Sequence, residues 1–138
     1  ANLHLQGDEI NETPVVANPR ESASYTHAYN DSVFAERVQN ILGLIAVAKS
    51  GTDQPVHLVG SGSTGPLVAA ARALTGDKVG KSVIDNSDFR FADIKSYRHP
   101  MFIPGAVKYG DLPGLIDLLP AEQTKLAEPT GETLDWLD

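Results

Sequence analysis

Apolar positions along the chain follow two patterns, one with helical spacing and one of short unbroken runs. Val33, Phe34, Val38, Ile41, Leu42, Ile45 and Ala48 recur at intervals of three and four, which predicts an amphipathic helix. Leu44 and Val47 widen that stripe, as expected of a helix sandwiched on a sheet. Asn30 or Asp31 is the expected cap, with Glu36 at the positive end, Lys49 near the negative end and Gly51 as the stop. Residues 56–59 form a short β-branched run that predicts a strand buried on both faces, and with it a parallel sheet. That run breaks at Gly60-Ser61-Gly62-Ser63-Thr64-Gly65 and resumes as the alanine-rich stretch 66–74, where Pro66 suits a first helical turn. Strand, sharp turn and helix make the unit that α/β folds use to place chemistry at the carboxyl end of a sheet.

Beyond that helix, Gly76-Asp77 reads as a turn and residues 79–85 as a second strand, best from Ser82 onward. Two strands joined by a helix form a βαβ unit, so Asp85, Asn86 and Asp88 are expected on the same sheet edge as Ser63. Phe89, Phe91 and Ile94 suit a short strand or a helical turn. Residues 106–119 are helical but broken by Gly110, Pro113 and Gly114, which predicts two short helices carrying Leu112, Leu115, Ile116, Leu118 and Leu119 into the core. A third strand is expected over 123–127, with Glu128 at its carboxyl end and the single tryptophan, Trp136, in the acidic stretch beyond. Residues 1–20 are expected to be irregular, with Pro14 and Pro19 in a polar loop. Within them, Leu3 and Leu5 allow a short strand, although 1–7 also ends in Gln-Gly as a protease-tag remnant does. Tyr25, His27 and Tyr29 fit a loop whose aromatic rings pack on the domain, and His4 has no partner at ligand spacing.

Composition narrows the classes. The 138 residues suit one domain, from 21 to 138. A net charge of −7 argues against a nucleic-acid partner, which needs a basic face. No apolar run reaches the ~18 residues of a membrane span, and no basic segment leads into an apolar one as in a secretory leader. The absence of cysteine excludes disulfides and thiolate metal sites and leaves the compartment open.

The turn admits three interpretations. Ser61-Gly62-Ser63-Thr64-Gly65 approximates the G-x-S-x-G nucleophile elbow, with Ser63 as the exposed serine. Gly60, Gly62 and Gly65 also spell G-x-G-x-x-G, the dinucleotide fingerprint, and Asp85 lies near the ~20-residue spacing at which that motif wants an acid. A tight strand-to-helix turn needs glycine in any case, and serine is a common filler. The motif alone does not decide between them.

Longer words are more specific. Val16-Ala17-Asn18-Pro19-Arg20-Glu21, Ala28-Tyr29-Asn30, Phe34-Ala35-Glu36-Arg37-Val38 and His57-Leu58-Val59-Gly60 occur in that order. Gly65-Pro66, Arg72-Ala73-Leu74, Phe89-Arg90-Phe91, His99-Pro100-Met101 and 104–110 (Pro-Gly-Ala-Val-Lys-Tyr-Gly) continue the series. Together, over roughly 16–128, they resemble the carboxyl-terminal part of α/β-hydrolase proteins of the acetyl-xylan-esterase-like and dienelactone-hydrolase-like kind. The resemblance implies a partial, mostly parallel α/β-hydrolase sheet flanked by helices in three layers, with 21–138 its later half. It implies a carboxylic ester hydrolase that uses no cofactor and no metal and acts on a small ester or an acetylated carbohydrate. Ser63 would attack the carbonyl, His99 take its proton and Asp85 (or Asp88) orient the histidine, in the chain order Ser, acid, His. Glu128 sits where many members place the acid, but no histidine follows it, and His57 in the strand reads as a satisfied core residue. If Leu58-Val59-Gly60 is instead aligned on the usual strand end, the nucleophile position falls on Gly62. The chain would then be a non-catalytic module binding carbohydrate or a partner protein. Half a parallel sheet leaves an unpaired edge, so self-association or a complementing chain is expected.

Overall fold

The computed structural model describes residues 27–138; the expectations for 1–20 and for Tyr25 lie outside them. The first helix, α1, spans Val33–Ser50. Its cap is Ser32 rather than Asn30 or Asp31: the Ser32 backbone is extended and its hydroxyl accepts the Ala35 N–H at 3.2 Å. Gly51 closes the far end, its N–H turned back to the Ala48 and Lys49 carbonyls. Phe34, Arg37, Val38, Ile41 and Ile45 are buried, whereas Leu44 and Val47 are 45% and 71% exposed. The stripe is therefore narrower than the sequence pattern suggests. Its physical reason is that α1 packs chiefly on a second helix and not on the sheet.

That second helix, α2 (Gly65–Thr75), occupies the centre of the molecule. Every residue from Gly65 to Arg72 is buried, and α2 touches the sheet on one side and α1 on another. Its alanines at 69, 70 and 71 allow close approach on several faces at once. Arg72, almost fully buried, directs its guanidinium to the Gly76 and Gly80 carbonyls at 2.8 and 3.2 Å and to Gln123 Oε1 at 2.7 Å. One side chain thus ties the end of α2 to the approaches of both later strands.

Among the described residues the sheet is three-stranded and parallel, in the order β1 (Leu58–Gly60), β2 (Ser82–Ile84), β3 (Thr124–Leu126). Leu58, Val59 and Gly60 stand opposite Ser82, Val83 and Ile84, which stand opposite Thr124, Lys125 and Leu126. The chain is thus an α/β unit with a small parallel sheet and flanking helices. Full burial belongs to β2, not to the strand expected over 56–59: Val59 is 45% exposed because β1 has a neighbour on only one side among the described residues. Gly60 and Ile84 face α2, and alternation sends Val59, Val83 and Lys125 to the opposite face. There, Lys81 and Lys125 hold their ammonium groups 5.4 and 5.1 Å from the Trp136 ring, and Lys81 also donates to the Trp136 carbonyl at 2.7 Å.

Of the two helices expected within 106–119, one is a single 3-10 turn, Val107–Tyr109, and the other is α3, Asp111–Ile116. Pro113 lies in the first turn of α3, where it breaks nothing. A last short helix, α4 (Gly131–Asp135), is capped by Thr130.

Candidate functional site

Strand β1 leads straight into the turn, and the backbone there sets what the turn can do. Gly62 has φ +54°, a left-handed conformation that residues with a Cβ rarely adopt. Gly62–Thr64 then form one 3-10 turn that runs into α2. Thr64 fastens it: its N–H donates to the Ser61 carbonyl at 3.1 Å, and its hydroxyl accepts the Ser61 N–H at 3.1 Å. Ser63 is exposed, and neither its N–H nor its hydroxyl has a hydrogen-bond partner among the described residues.

Two glycines bring the head of α2 against the sheet. A Cβ on Gly60 would lie 2.8 Å from the Val68 Cβ, and one on Gly65 would overlap the Asp85 carbonyl oxygen. This contact places Asp85, the residue following β2, beside the turn. Its carboxylate accepts the Gly62 N–H at 3.1 Å, the Ser87 N–H at 2.8 Å and the Ser87 hydroxyl at 3.0 Å. The Ser87 N–H first, then the Gly62 N–H and the Ser87 hydroxyl, hold the Asp85 carboxyl below its ordinary value against a small opposing effect of burial. The carboxylate therefore fills the anion-favouring position where the turn opens into α2. A phosphate bound at Gly60, Gly62 and Gly65 would need that same position, so the arrangement works against the dinucleotide interpretation.

A depressed carboxyl stabilises the fold above its unfolded pKa of about 3.9 and loses that contribution as pH falls through its lower folded value. The melting temperature of the wild-type chain is accordingly expected to exceed that of Asp85→Asn at pH 6. The gap should close as pH drops below about 4. Thermal melts of both proteins between pH 2 and 7 check this, and a gap that persists unchanged to the acid end would contradict it.

Asn86-Ser87-Asp88-Phe89 make a tight turn, with the Phe89 N–H on the Asn86 carbonyl at 2.8 Å. Ser87 and Asp88 have φ +43° and +55°, so both central residues are left-handed without being glycine. Each such residue carries strain of order 1–3 kcal/mol, here opposed by the Asp85 bonds to Ser87. A polar cavity of about 290 Å³ opens at this point, against Ile84, Asp85, Asn86, Asp88 and Leu126 at the carboxyl ends of β2 and β3.

The remaining candidates lie in their own local structures. His99 is exposed; its Nδ1 accepts the Met101 N–H at 3.1 Å and its carbonyl accepts the Phe102 N–H at 2.8 Å. Its ring thus closes its own turn. The structure joins Asp85 to Gly62, and no hydrogen bond links Ser63, Asp85 and His99 to one another. Glu128, beyond β3, is exposed and offers its carbonyl to the Thr133 hydroxyl at 2.9 Å. His57 Nδ1 accepts the Lys81 N–H at 2.9 Å, a structural bond within the sheet entrance. His27 packs on the 97–102 loop, 5.2 Å from the Phe102 ring and 3.3 Å from the Tyr97 carbonyl. Among the described residues no group of three or more His, Asp or Glu side chains is placed to hold a metal ion. The link that sequence reasoning missed is the bond from Gly62 to Asp85, 23 residues apart. Its only signal was an acid at the end of the second strand of a βαβ unit. Compared with protein-family models, curated proteins and solved structures, the chain finds no match.

Proposed function

We propose that this chain is the later part of a three-layered, acetyl-xylan-esterase-like α/β-hydrolase unit whose turn binds without cleaving. In this reading Gly62 stands where the nucleophile would be. The observation that supports it most directly is the left-handed backbone of Gly62, two residues beyond the end of β1. In a nucleophile elbow the strained residue of the turn carries the attacking side chain, and the next N–H faces the oxyanion. Here the left-handed residue has no side chain, and the next N–H, on Ser63, is unpartnered among the described residues. Taking Ser63 itself as nucleophile makes Thr64 the oxyanion donor, yet the Thr64 N–H is already given to Ser61. The ligand would be an acetylated carbohydrate or a partner protein. A complementing chain or second copy, whose strand would cover β1, fits the exposure of Val59 on that edge.

A second reading has one observation in its favour: the Ser63 hydroxyl is exposed on the turn and tied to nothing among the described residues. Ester hydrolysis through Ser63 would require His99 to leave the Met101 N–H and reach the turn. The two readings separate in one experiment, using wild type and Ser63→Ala with a short-chain acetyl ester and a fluorophosphonate label. The expected result is no turnover and no label in either protein. Turnover and labelling that both vanish in Ser63→Ala, with a rate loss on the order of 10⁶-fold, would make the chain a serine esterase instead.

A further inference from the structure

We infer that a cavity on the far side of α2 from the sheet binds a compact, neutral aromatic molecule, independently of the turn. The cavity measures about 230 Å³, and Phe34, Ala70, Phe91, Ile103, Tyr109 and Leu115 are among its walls. An apolar cavity of about 150 Å³ is already large enough to take up benzene. Its floor is firm, since Phe34, Ala70 and Phe91 are all buried.

Charge argues for a neutral ligand. Asp111 is the one carboxylate in the wall among the described residues, and both of its oxygens are engaged. One of its oxygens accepts the Phe91 and Leu112 N–H groups at 2.6 and 2.7 Å, and the other accepts the Ala92 N–H at 3.2 Å. Burial alone would raise this carboxyl; the Leu112, Phe91 and Ala92 N–H groups and the nearby Arg90 outweigh it and hold the value below the ordinary one. The group therefore stays ionised and already neutralised by its surroundings, so it calls for no cation. Lys108, with its ammonium 5.4 Å from the Tyr109 ring centre, opposes a second positive charge at the mouth. Water there would find few polar partners on such walls.

Ring geometry argues for an aromatic ligand. Phe89 and Phe91 meet edge to face at 5.0 Å, and Phe91 and Phe34 at 5.5 Å. A ligand ring against Phe34 and Phe91 extends that series at the 4.5–7 Å spacing that aromatic pairs favour. Gly105, at φ +85°, keeps the Tyr109 ring close: a Cβ there would lie 3.3 Å from it. Tyr109 and Leu118 are exposed at the rim, as an entrance requires.

The test is a benzene titration of the full chain, followed through the methyl signals of Ile103, Leu115 and Leu118 and through the melting temperature, with cyclohexane as control. Saturable methyl shifts and a higher melting temperature with benzene are expected, with weaker effects from cyclohexane. Ala70→Leu fills the cavity and should abolish binding. Leu118→Ala alters only an exposed rim residue and should weaken binding by roughly tenfold. Wild-type methyls that stay put in a cooperatively folded protein would overturn the proposal. So would equal affinity for cyclohexane, or Leu118→Ala binding as tightly as wild type. Methyl shifts that follow protein concentration instead of benzene would also overturn it, by making the rim a contact between two copies. None of these outcomes depends on whether Ser63 is labelled.

Discussion

Replacing Gly65 with alanine is expected to unfold the chain or leave it barely folded. The added methyl would overlap the Asp85 carbonyl oxygen and lie 2.8 Å from the Asp85 carbonyl carbon. Both obstacles are backbone, so no rotamer change relieves them. Overpacking a core typically costs about 1–3 kcal/mol when side chains can adjust. Here either α2 must lift off the sheet or Asp85 must move, and with it the bond to Gly62. The expected loss is therefore above about 3 kcal/mol, a large share of the roughly 5–15 kcal/mol that stabilises a typical domain. Urea denaturation followed by circular dichroism measures it directly. A Gly65→Ala protein within about 1 kcal/mol of wild type would mean that α2 does not start where the structure places it.

The second large effect is expected at Leu67. This side chain, in α2, is fully buried in the core cluster. Truncation to alanine leaves a cavity in that core, and should cost about 2–5 kcal/mol. Leu74→Ala, at a 67% exposed position in the same helix, should stay within about 0.5 kcal/mol. The contrast is what matters. If the two substitutions cost the same, α2 is a surface helix and the layer order is wrong.

Much of this architecture can be read from the residues, because local patterns carry it. The α1 stripe, the 56–60 run, the alanine-rich helix and the strand beginning at Ser82 all announce themselves through spacing and β-branching. What fails is whatever depends on a neighbour. Val59 belongs to an apolar run, but its exposure is decided by which strands lie beside it. Leu44 and Val47 extend the stripe on paper and face outward because α1 packs chiefly on α2 and not on the sheet. Ser32 outcompetes Asn30 and Asp31 as cap through a backbone conformation invisible in composition.

The candidate site divides the same way. Glycines at a strand-to-helix turn and an acid after the next strand were legible; the carboxylate bonded back to Gly62 was not, since it crosses 23 residues of fold. The left-handed Ser87-Asp88 pair was equally hidden, because neither residue type demands that backbone. His99 is a different case: chain order makes it a candidate base, and the fold adds that its Nδ1 accepts the N–H of the residue two positions on.

The edge presented by β1 also has a polarity. Its neighbour β2 runs parallel to it, so strands that extend the existing pattern on the other side, unpaired among the described residues, must run parallel as well. A copy of the chain related by a two-fold axis would instead bring β1 against β1 head to foot, in an antiparallel ladder. The third arrangement, β1 of one copy on the β3 edge of the next, preserves strand direction and is head to tail, so it closes into a ring where the rotation between copies allows and otherwise propagates as a filament. Strand direction at a single edge thus separates a closed two-fold dimer, which is antiparallel there, from completion by a different chain or head-to-tail assembly, which are both parallel.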